Sequence, residues 1–322
     1  VLDAMMIRHR LEFLIVTVIR ALVRALPRRV SLALGGKLGR IFYVLHERRR
    51  ELAVENLRAA FPSKADAECR AILQSTFAHF GRHVIDLLAF DAMSANEMMQ
   101  LVSLEGEERV EQAMAAGHGM IFFSGHFGYW ELQIMVHAFR FKPIVMVART
   151  LDNPLLERFI ERVRTRVGTR VISRRGGIRS LFRALLDKES VAMMVDQHIH
   201  DRSAVTVEFF NRPASTTSAI AALSLRTGAP IIPVFALPVP GGRYRLVYEA
   251  AVTPPADDDP DPVRTYTQRC TDVLEMYIRR YPDLWLWMHR RWRTELSEAK
   301  PEVDVTVAVN HAAPTPKEDA LR

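Results

Sequence analysis

The chain has 322 residues, 44 Lys and Arg against 37 Asp and Glu, and a formal net charge of +7. Twelve of the basic side chains but only five of the acidic ones fall in residues 1–60, so residues 61–322 carry 32 of each sign. A neutral body with a basic leading segment excludes a protein that coats nucleic acid, whose positive field would spread over a binding face. It suits a body held against an anionic surface. At 49% hydrophobic and 25% charged residues the chain is neither disordered nor collagen-like. Two cysteines, Cys69 and Cys270, cannot build a disulfide framework and lie in no metal-knuckle pattern, which fits a reducing compartment. The first residue is Val, with Met5 and Met6 as candidate starts.

From Leu11 to Leu26 nearly every residue is apolar except Glu12, Thr17, Arg20 and Arg24. Thr17, Arg20, Arg24 and Arg28 follow helical spacing, a polar stripe beside a broad apolar face. A spanning helix needs about 20 mostly apolar residues, and here Arg20 interrupts the run and Pro27 closes it. A cleaved signal peptide would need a small-residue site where Arg20 and Arg24 stand. Residues 1–29 are therefore expected to form an amphipathic helix in a membrane interface, with the arginines toward lipid phosphates. The alternatives are a helix packed on the body and a short uncleaved anchor.

Residues 30–61 read as helical, and Ser63 to Phe90 as two more helices. Short bounded apolar runs follow at Met120–Phe123, Pro143–Val147, Val191–Val195, Val205–Phe209, Pro230–Phe235 and Tyr244–Tyr248. Helical stretches separate several of them: Trp130–Phe139, Pro154–Val167, Ile178–Leu186 and Ser215–Thr227. This alternation predicts an α/β body around a central, mostly parallel or mixed sheet flanked by helices. Thr253–Pro262 is a Pro/Asp-rich loop before a helix from Val263 to about Arg280. Residues 297–322 lack periodicity and read as a flexible tail, leaving 30–296 as one domain.

The stretch from Phe122 to Glu131 is the most informative. It reads as an apolar strand, then His126 flanked by Gly125 and Gly128, then Glu131 as a helix begins. The bare His-x4-acid pattern is weak, since composition alone predicts roughly 1.3 copies. His46 and Glu51 share the spacing, but within one helix five residues turn about 500° and point the side chains apart. His126 instead follows a strand, where chemistry gathers in open α/β sheets. If His126 precedes the helix and Glu131 sits in its first turn, the two can meet. A neutral imidazole can then take a proton from an attacking hydroxyl while a carboxylate fixes its tautomer. Direct acyl transfer needs no Ser or Cys nucleophile.

Gly125-His126-Phe127-Gly128-Tyr129-Trp130-Glu131 resembles the His-x4-Glu/Asp block of the bacterial lipid A biosynthesis acyltransferases, within the wider lysophospholipid acyltransferase superfamily. Further blocks follow in that family's order. They are Asp152-Asn153-Pro154-Leu155, Arg162 to Gly168, Arg174-Arg175-Gly176-Gly177, Val195-Asp196-Gln197, Phe209 to Thr217, Arg226 to Pro230 and Trp285 to Trp292. The resemblance covers roughly residues 10–295. One position departs: Tyr129 stands where the family usually has Asn. The resemblance implies His126 as general base and Glu131 as its orienting partner. It also implies an acyl carrier protein or coenzyme A thioester as donor, and a membrane glycolipid hydroxyl as acceptor. Arg164 would bind anionic substrate groups, and Asp196 would help shape the site. The expected location is the cytoplasmic face of the inner membrane, with no further cofactor.

Arg174, Arg175, Gly176 and Gly177 precede a helix start, where free N–H groups suit a lipid or phosphopantetheine phosphate; a plain loop is the alternative. Asp196 to Asp201 contains His198 and His200, but alternate histidines are common and the chemistry needs no metal. The Trp285–Trp292 cluster is expected to pack a terminal helix on the sheet, with contact to lipid headgroups as the other reading.

Overall fold

The computed structural model describes residues 2–173, 176–200 and 204–292. Helix α1 (Leu2–Ala25) ends before Pro27, and α2 (Arg28–Leu45) and α3 (Glu47–Ala60) follow. Residues 66–90 form one unbroken helix, α4 (Asp66–Phe90), rather than the expected pair. Its apolar positions are numerous enough to be buried along the whole length, so no break is required.

The remaining elements in chain order are α5 (Ala95–Gln100), β1 (Val102–Glu105), α6 (Glu107–Ala115), β2 (Met120–Ser124), α7 (Trp130–Arg140), β3 (Ile144–Ala148) and α8 (Pro154–Thr165). Then come β4 (Arg170–Ser173), α9 (Gly177–Leu186), β5 (Ser190–Met194), β6 (Ala204–Glu208), β7 (Pro213–Thr217), α10 (Ala219–Thr227), β8 (Ile231–Val239), β9 (Arg243–Tyr248) and α11 (Pro262–Arg280). Among the described residues, seven strands make one sheet in the order β1-β9-β8-β2-β5-β3-β4, and β6 and β7 pair separately. Strands β8, β2, β5, β3 and β4 are mutually parallel, while the β8–β9 pairing is antiparallel. The expected α/β class with a mostly parallel sheet is therefore correct. Ser215–Thr217, expected to open a helix, instead ends β7, because these residues pair with Ala204–Thr206.

Strand β2 is buried at every residue, as a central parallel strand covered by helices must be. Its alternate side chains feed two cores. Ile121 and Phe123 join one with Leu181, Leu223 and Leu274; Met120 and Phe122 join the other with Leu132, Met135 and Phe159.

The polar stripe of α1 faces the opposite way from the sequence-based expectation. Arg20 and Arg24 pair with Asp91, and Arg28 pairs with Asp86 at 2.7 Å. Phe13, Val16 and Ile19 pack on the core. Leu11, Leu14, Ile15, Val18 and Leu22 are left outside, each at least half exposed. The reason is the acidic pair Asp86 and Asp91 at the end of α4, which draws the guanidinium groups inward. Helix α2 adds exposed Val30, Leu34, Leu38, Ile41 and Leu45, which follow helical spacing along one side. No helix among the described residues is long and apolar enough to cross a membrane. The expected tail at 297–322 lies outside the described residues.

Candidate active site

The geometry of the site follows from strand register. Strands β2 and β5 are parallel neighbours, with Ser124 opposite Met194. Two residues beyond each of those positions stand His126 and Asp196. They meet at the carboxyl ends of adjacent strands, where parallel sheets open their crevices. His126 Nδ1 lies 2.8 Å from Asp196 Oδ1, and the His126 backbone N–H donates to Asp196 Oδ2 at 2.7 Å. Trp285 Nε1 donates to the same Oδ2 at 2.9 Å. The Asp196 carboxylate is completely buried, whereas the imidazole retains 19% exposure.

Two glycines permit this arrangement. A Cβ on Gly125 would sit 2.9 Å from Asp196 Oδ2, so only glycine lets the carboxylate approach. Gly128 has φ of +58°, and a Cβ there would meet the Ala236 carbonyl oxygen at 2.1 Å.

Burial disfavours a charged His126, but the Asp196 charge, their hydrogen bond and the Glu131 charge outweigh it, so the His126 pKa is raised. Burial also disfavours an ionised Asp196, yet the charge and hydrogen bonds of His126 hold its carboxyl well below the ordinary carboxylate range. The carboxylate therefore remains an acceptor, and the neutral imidazole carries its proton on Nδ1. Nε2 is left as the basic nitrogen, with Gln197 Nε2 at 3.4 Å.

Glu131 does occupy the first turn of α7, but its hydrogen-bonded partner is Arg164 rather than His126. Arg164 Nε donates to Oε2 at 3.0 Å and Nη2 to Oε1 at 2.5 Å, a bidentate pair with side chains 15% and 5% exposed. The Arg164 guanidinium is thus already matched by a carboxylate. Helix α8, which carries it, starts at the Asn153 cap, where the side-chain oxygen accepts from Leu155 N–H at 2.9 Å. The same Asn153 amide donates to the His9 carbonyl at 3.0 Å, tying α8 to α1.

Gly176 and Gly177 lie past β4, at the carboxyl-end rim that also holds His126, with Gly177 against Val147 of β3 rather than beside the imidazole. Arg174 and Arg175 lie outside the described residues. Among the described residues there is no group of three His, Cys, Asp or Glu side chains poised to hold a metal.

The Trp285–Trp292 segment forms no helix through Trp292; a single 3-10 turn at Pro282–Leu284 precedes it. Trp285 and Trp287 are fully buried, so neither reaches lipid. The segment fixes the site instead. Leu286 N–H donates to the His126 carbonyl at 3.0 Å, and Gly128 N–H donates to the Leu284 carbonyl at 2.9 Å. His289 Nε2 stands 3.1 Å from the Asp196 carbonyl. Arg291, 1% exposed, donates to the Ser215 carbonyl at 2.6 Å and to Thr216 Oγ1. Burial pulls the Arg291 pKa down to about 10, against the countering charge of Asp196. Sequence reasoning missed these supporting roles; the only signal was the unusual density of Trp, His and Arg between 285 and 292.

The family model for bacterial lipid A biosynthesis acyltransferase matches residues 4–294. A lipid A biosynthesis lauroyltransferase of Escherichia coli (strain K12) is 26% identical over 276 residues, covering 85% of this chain and 88% of its own. A phosphatidylinositol mannoside acyltransferase of Mycolicibacterium smegmatis is 27% identical over 288 residues, covering 87% and 90%. The crystal structure of the 1-acyl-sn-glycerophosphate acyltransferase PlsC from Thermotoga maritima overlaps 79% of this chain and 97% of its own, at a TM-score of 0.37 and 14% identity. With its motifs in order over nearly the whole length, the chain belongs to the bacterial lipid A biosynthesis acyltransferase family.

Proposed function

We propose that this acyltransferase works at a membrane surface. It would move a fatty acyl chain from an acyl carrier protein or coenzyme A thioester to a hydroxyl of a lipid A precursor or a related glycolipid. The observation that carries this reading is the His126–Asp196 pair, with Nδ1 engaged at 2.8 Å and Nε2 left beside Gln197 on an imidazole that keeps 19% exposure. In the reaction, Nε2 takes the proton of the acceptor hydroxyl as its oxygen forms a bond to the thioester carbonyl carbon. Asp196 holds the Nδ1–H tautomer and stabilises the resulting imidazolium. The tetrahedral intermediate collapses by breaking the carbon–sulfur bond, and the imidazolium returns its proton to the departing thiolate. No covalent acyl-enzyme forms. The orienting role expected for Glu131 passes to Asp196, while Glu131, fixed by Arg164, adds negative charge near the imidazole.

The outward apolar faces of α1 and α2 support attachment to the lipid surface. That surface would be the cytoplasmic leaflet of an inner membrane, where acyl carrier protein is available. The relatives named above act on lipid A and on a phosphatidylinositol mannoside at nearly equal identity, so the acceptor class is a hydroxyl-bearing anionic glycolipid. The test supplies purified protein with labelled acyl carrier protein or acyl-coenzyme A and a panel of acceptors, and identifies products by mass spectrometry. His126→Ala is expected to abolish transfer without unfolding the chain. Full activity in that variant overturns the mechanism. No transfer from any thioester by the parent protein favours a non-catalytic lipid-binding role.

A further inference from the structure

A cleft lies beside the segment that carries His126. It has a volume of about 310 Å³ and opens between the start of α2, the middle of α4 and the β8–β9 turn. Arg29, Arg82 and Arg243 line it, with Tyr129, Tyr244 and Gly242. None of these three arginines has a carboxylate within 4.0 Å among the described residues, whereas the neighbouring Arg28 is matched by Asp86 at 2.7 Å. Arg29 and Arg243 are exposed, and Arg82 is half-buried. Three arginines around one small space, with no carboxylate among the described residues matched to any of them, leave a positive charge there that an anion would neutralise. Their planar donor forks suit a phosphate oxygen pair better than a diffuse charge.

Two features set the position of this cleft. Tyr129, 2% exposed, is three residues past His126 and held by its N–H on the Ala236 carbonyl at 3.0 Å. The Arg82 guanidinium lies beside its hydroxyl. An anion in the cleft is therefore registered to the segment that carries the base. Arg29 also directly precedes Val30, where the exposed apolar side of α2 begins. The cleft thus stands at the edge of the apolar surface, the level at which a lipid's phosphate leaves its acyl chains.

We propose that the Arg29–Arg82–Arg243 cleft is a phosphate-ester site whose source is a lipid headgroup. The anion site stands on the cleft itself; only the choice of a lipid as its source rests on the acyltransferase reading. A phosphate held there would anchor an acceptor while its hydroxyl reaches His126.

The test titrates the full chain with monomeric dihexanoyl phosphatidate, with dihexanoylglycerol (the same lipid lacking phosphate) and with inorganic phosphate, by calorimetry. Phosphatidate is expected to bind and dihexanoylglycerol to bind far more weakly. Arg29→Ser/Arg243→Ser is expected to weaken phosphatidate by at least about tenfold, since each guanidinium–phosphate contact is charge-assisted. Arg40→Ser/Arg48→Ser, which removes the same charge from surface outside the cleft, is expected to bind like the parent. Unchanged affinity in the cleft variant, or an equal loss in the control, overturns the site. Inorganic phosphate bound as tightly, and lost in the same variant, supports the anion site and overturns the lipid as its source. His126→Ala is expected to keep phosphatidate affinity while losing acyl transfer, so failure of the reaction and failure of this site are separable.

Discussion

Glu131 and Arg164 hold each other in a bidentate ion pair on two different helices, and this pair turns Glu131 away from direct contact with His126. Both groups are mostly out of water, at 15% and 5% side-chain exposure for Arg164 and Glu131. Removing one partner leaves the other as an uncompensated charge, which costs about 3–5 kcal/mol. Glu131→Ala and Arg164→Ala are each expected to lose stability on that scale in urea unfolding. The double variant Glu131→Ala/Arg164→Ala should lose clearly less than the sum. Strict additivity would show that the pair does not join α7 to α8 energetically.

A parallel argument applies to Asp196. In Asp196→Asn one carboxylate oxygen becomes an NH2 group, while three donors (His126 N–H, His126 Nδ1–H and Trp285 Nε1–H) still point at the side chain. Either one of those donors is left facing the new NH2 group, a loss of about 1–3 kcal/mol, or the imidazole switches to the Nε2–H tautomer and loses its basic nitrogen. The imidazole also loses the charge that selects its tautomer. We expect kcat to fall by about 10²–10⁴, with KM for the thioester little changed. Its activity limb should also move. His126 must be neutral to act, so parent activity is lost as pH falls through its raised pKa, and in Asp196→Asn that loss should occur at lower pH. A kcat–pH profile with the same limb in both proteins would remove Asp196 from the orienting role.

How much of this was legible in the sequence depends on separation along the chain. Strands β2, β5 and β8 are apolar and bounded, so their composition announced them. Strands β1 and β4 have four residues each with exposed positions at intervals, too short and mixed to stand out. His126 was legible because its glycines and flanking strand are local. Its true carboxylate was not, because 70 residues separate it from Asp196; only the Ser124–Met194 register joins them. The arginine stripe of α1 was read correctly as a stripe but aimed outward. Its partners Asp86 and Asp91 lie on and just after α4, and no helical pattern reveals which way a neighbouring helix will present its acids.

The buried histidines give a pH signature of stability that is separate from catalysis. Burial holds His79, His83 and His137 neutral, each with its pKa pulled down to about 3, and for His83 the charge of His126 adds to the effect. Each of these groups binds a proton more readily in the unfolded chain, so its contribution to stability is lost as pH falls below about 6.5 and continues to be lost down to about 3. The slope is about 1.4 kcal/mol per pH unit for each group across the middle of that window. Among the described residues, neither ring nitrogen of His83 has a hydrogen-bond partner, which makes His83→Phe a suitable probe against Trp130 at a ring separation of 4.1 Å. Between pH 6 and 4.5 the unfolding free energy of this variant should fall less steeply than that of the parent by about that single-group slope. Parallel curves would show that His83 is not held neutral.

The outward face of α1 leads to the last expectation. Leu14 and Val18 are 58% and 51% exposed and one helical turn apart, while Arg20 and Arg24 are occupied by Asp91. Attachment through this face would be governed by apolar burial, about 1.5–3 kcal/mol for each side chain taken into the acyl region. Leu14→Glu/Val18→Glu should therefore reduce flotation with neutral phosphatidylcholine vesicles by at least about tenfold. Because neither side chain packs inside the fold, the midpoint of urea unfolding should move little. Salt should have a small effect, since phosphatidylcholine carries no net charge for the arginines to meet. Binding that survives the double substitution but disappears in high salt would return the lipid contact to the arginines and reverse the orientation argued for the helix.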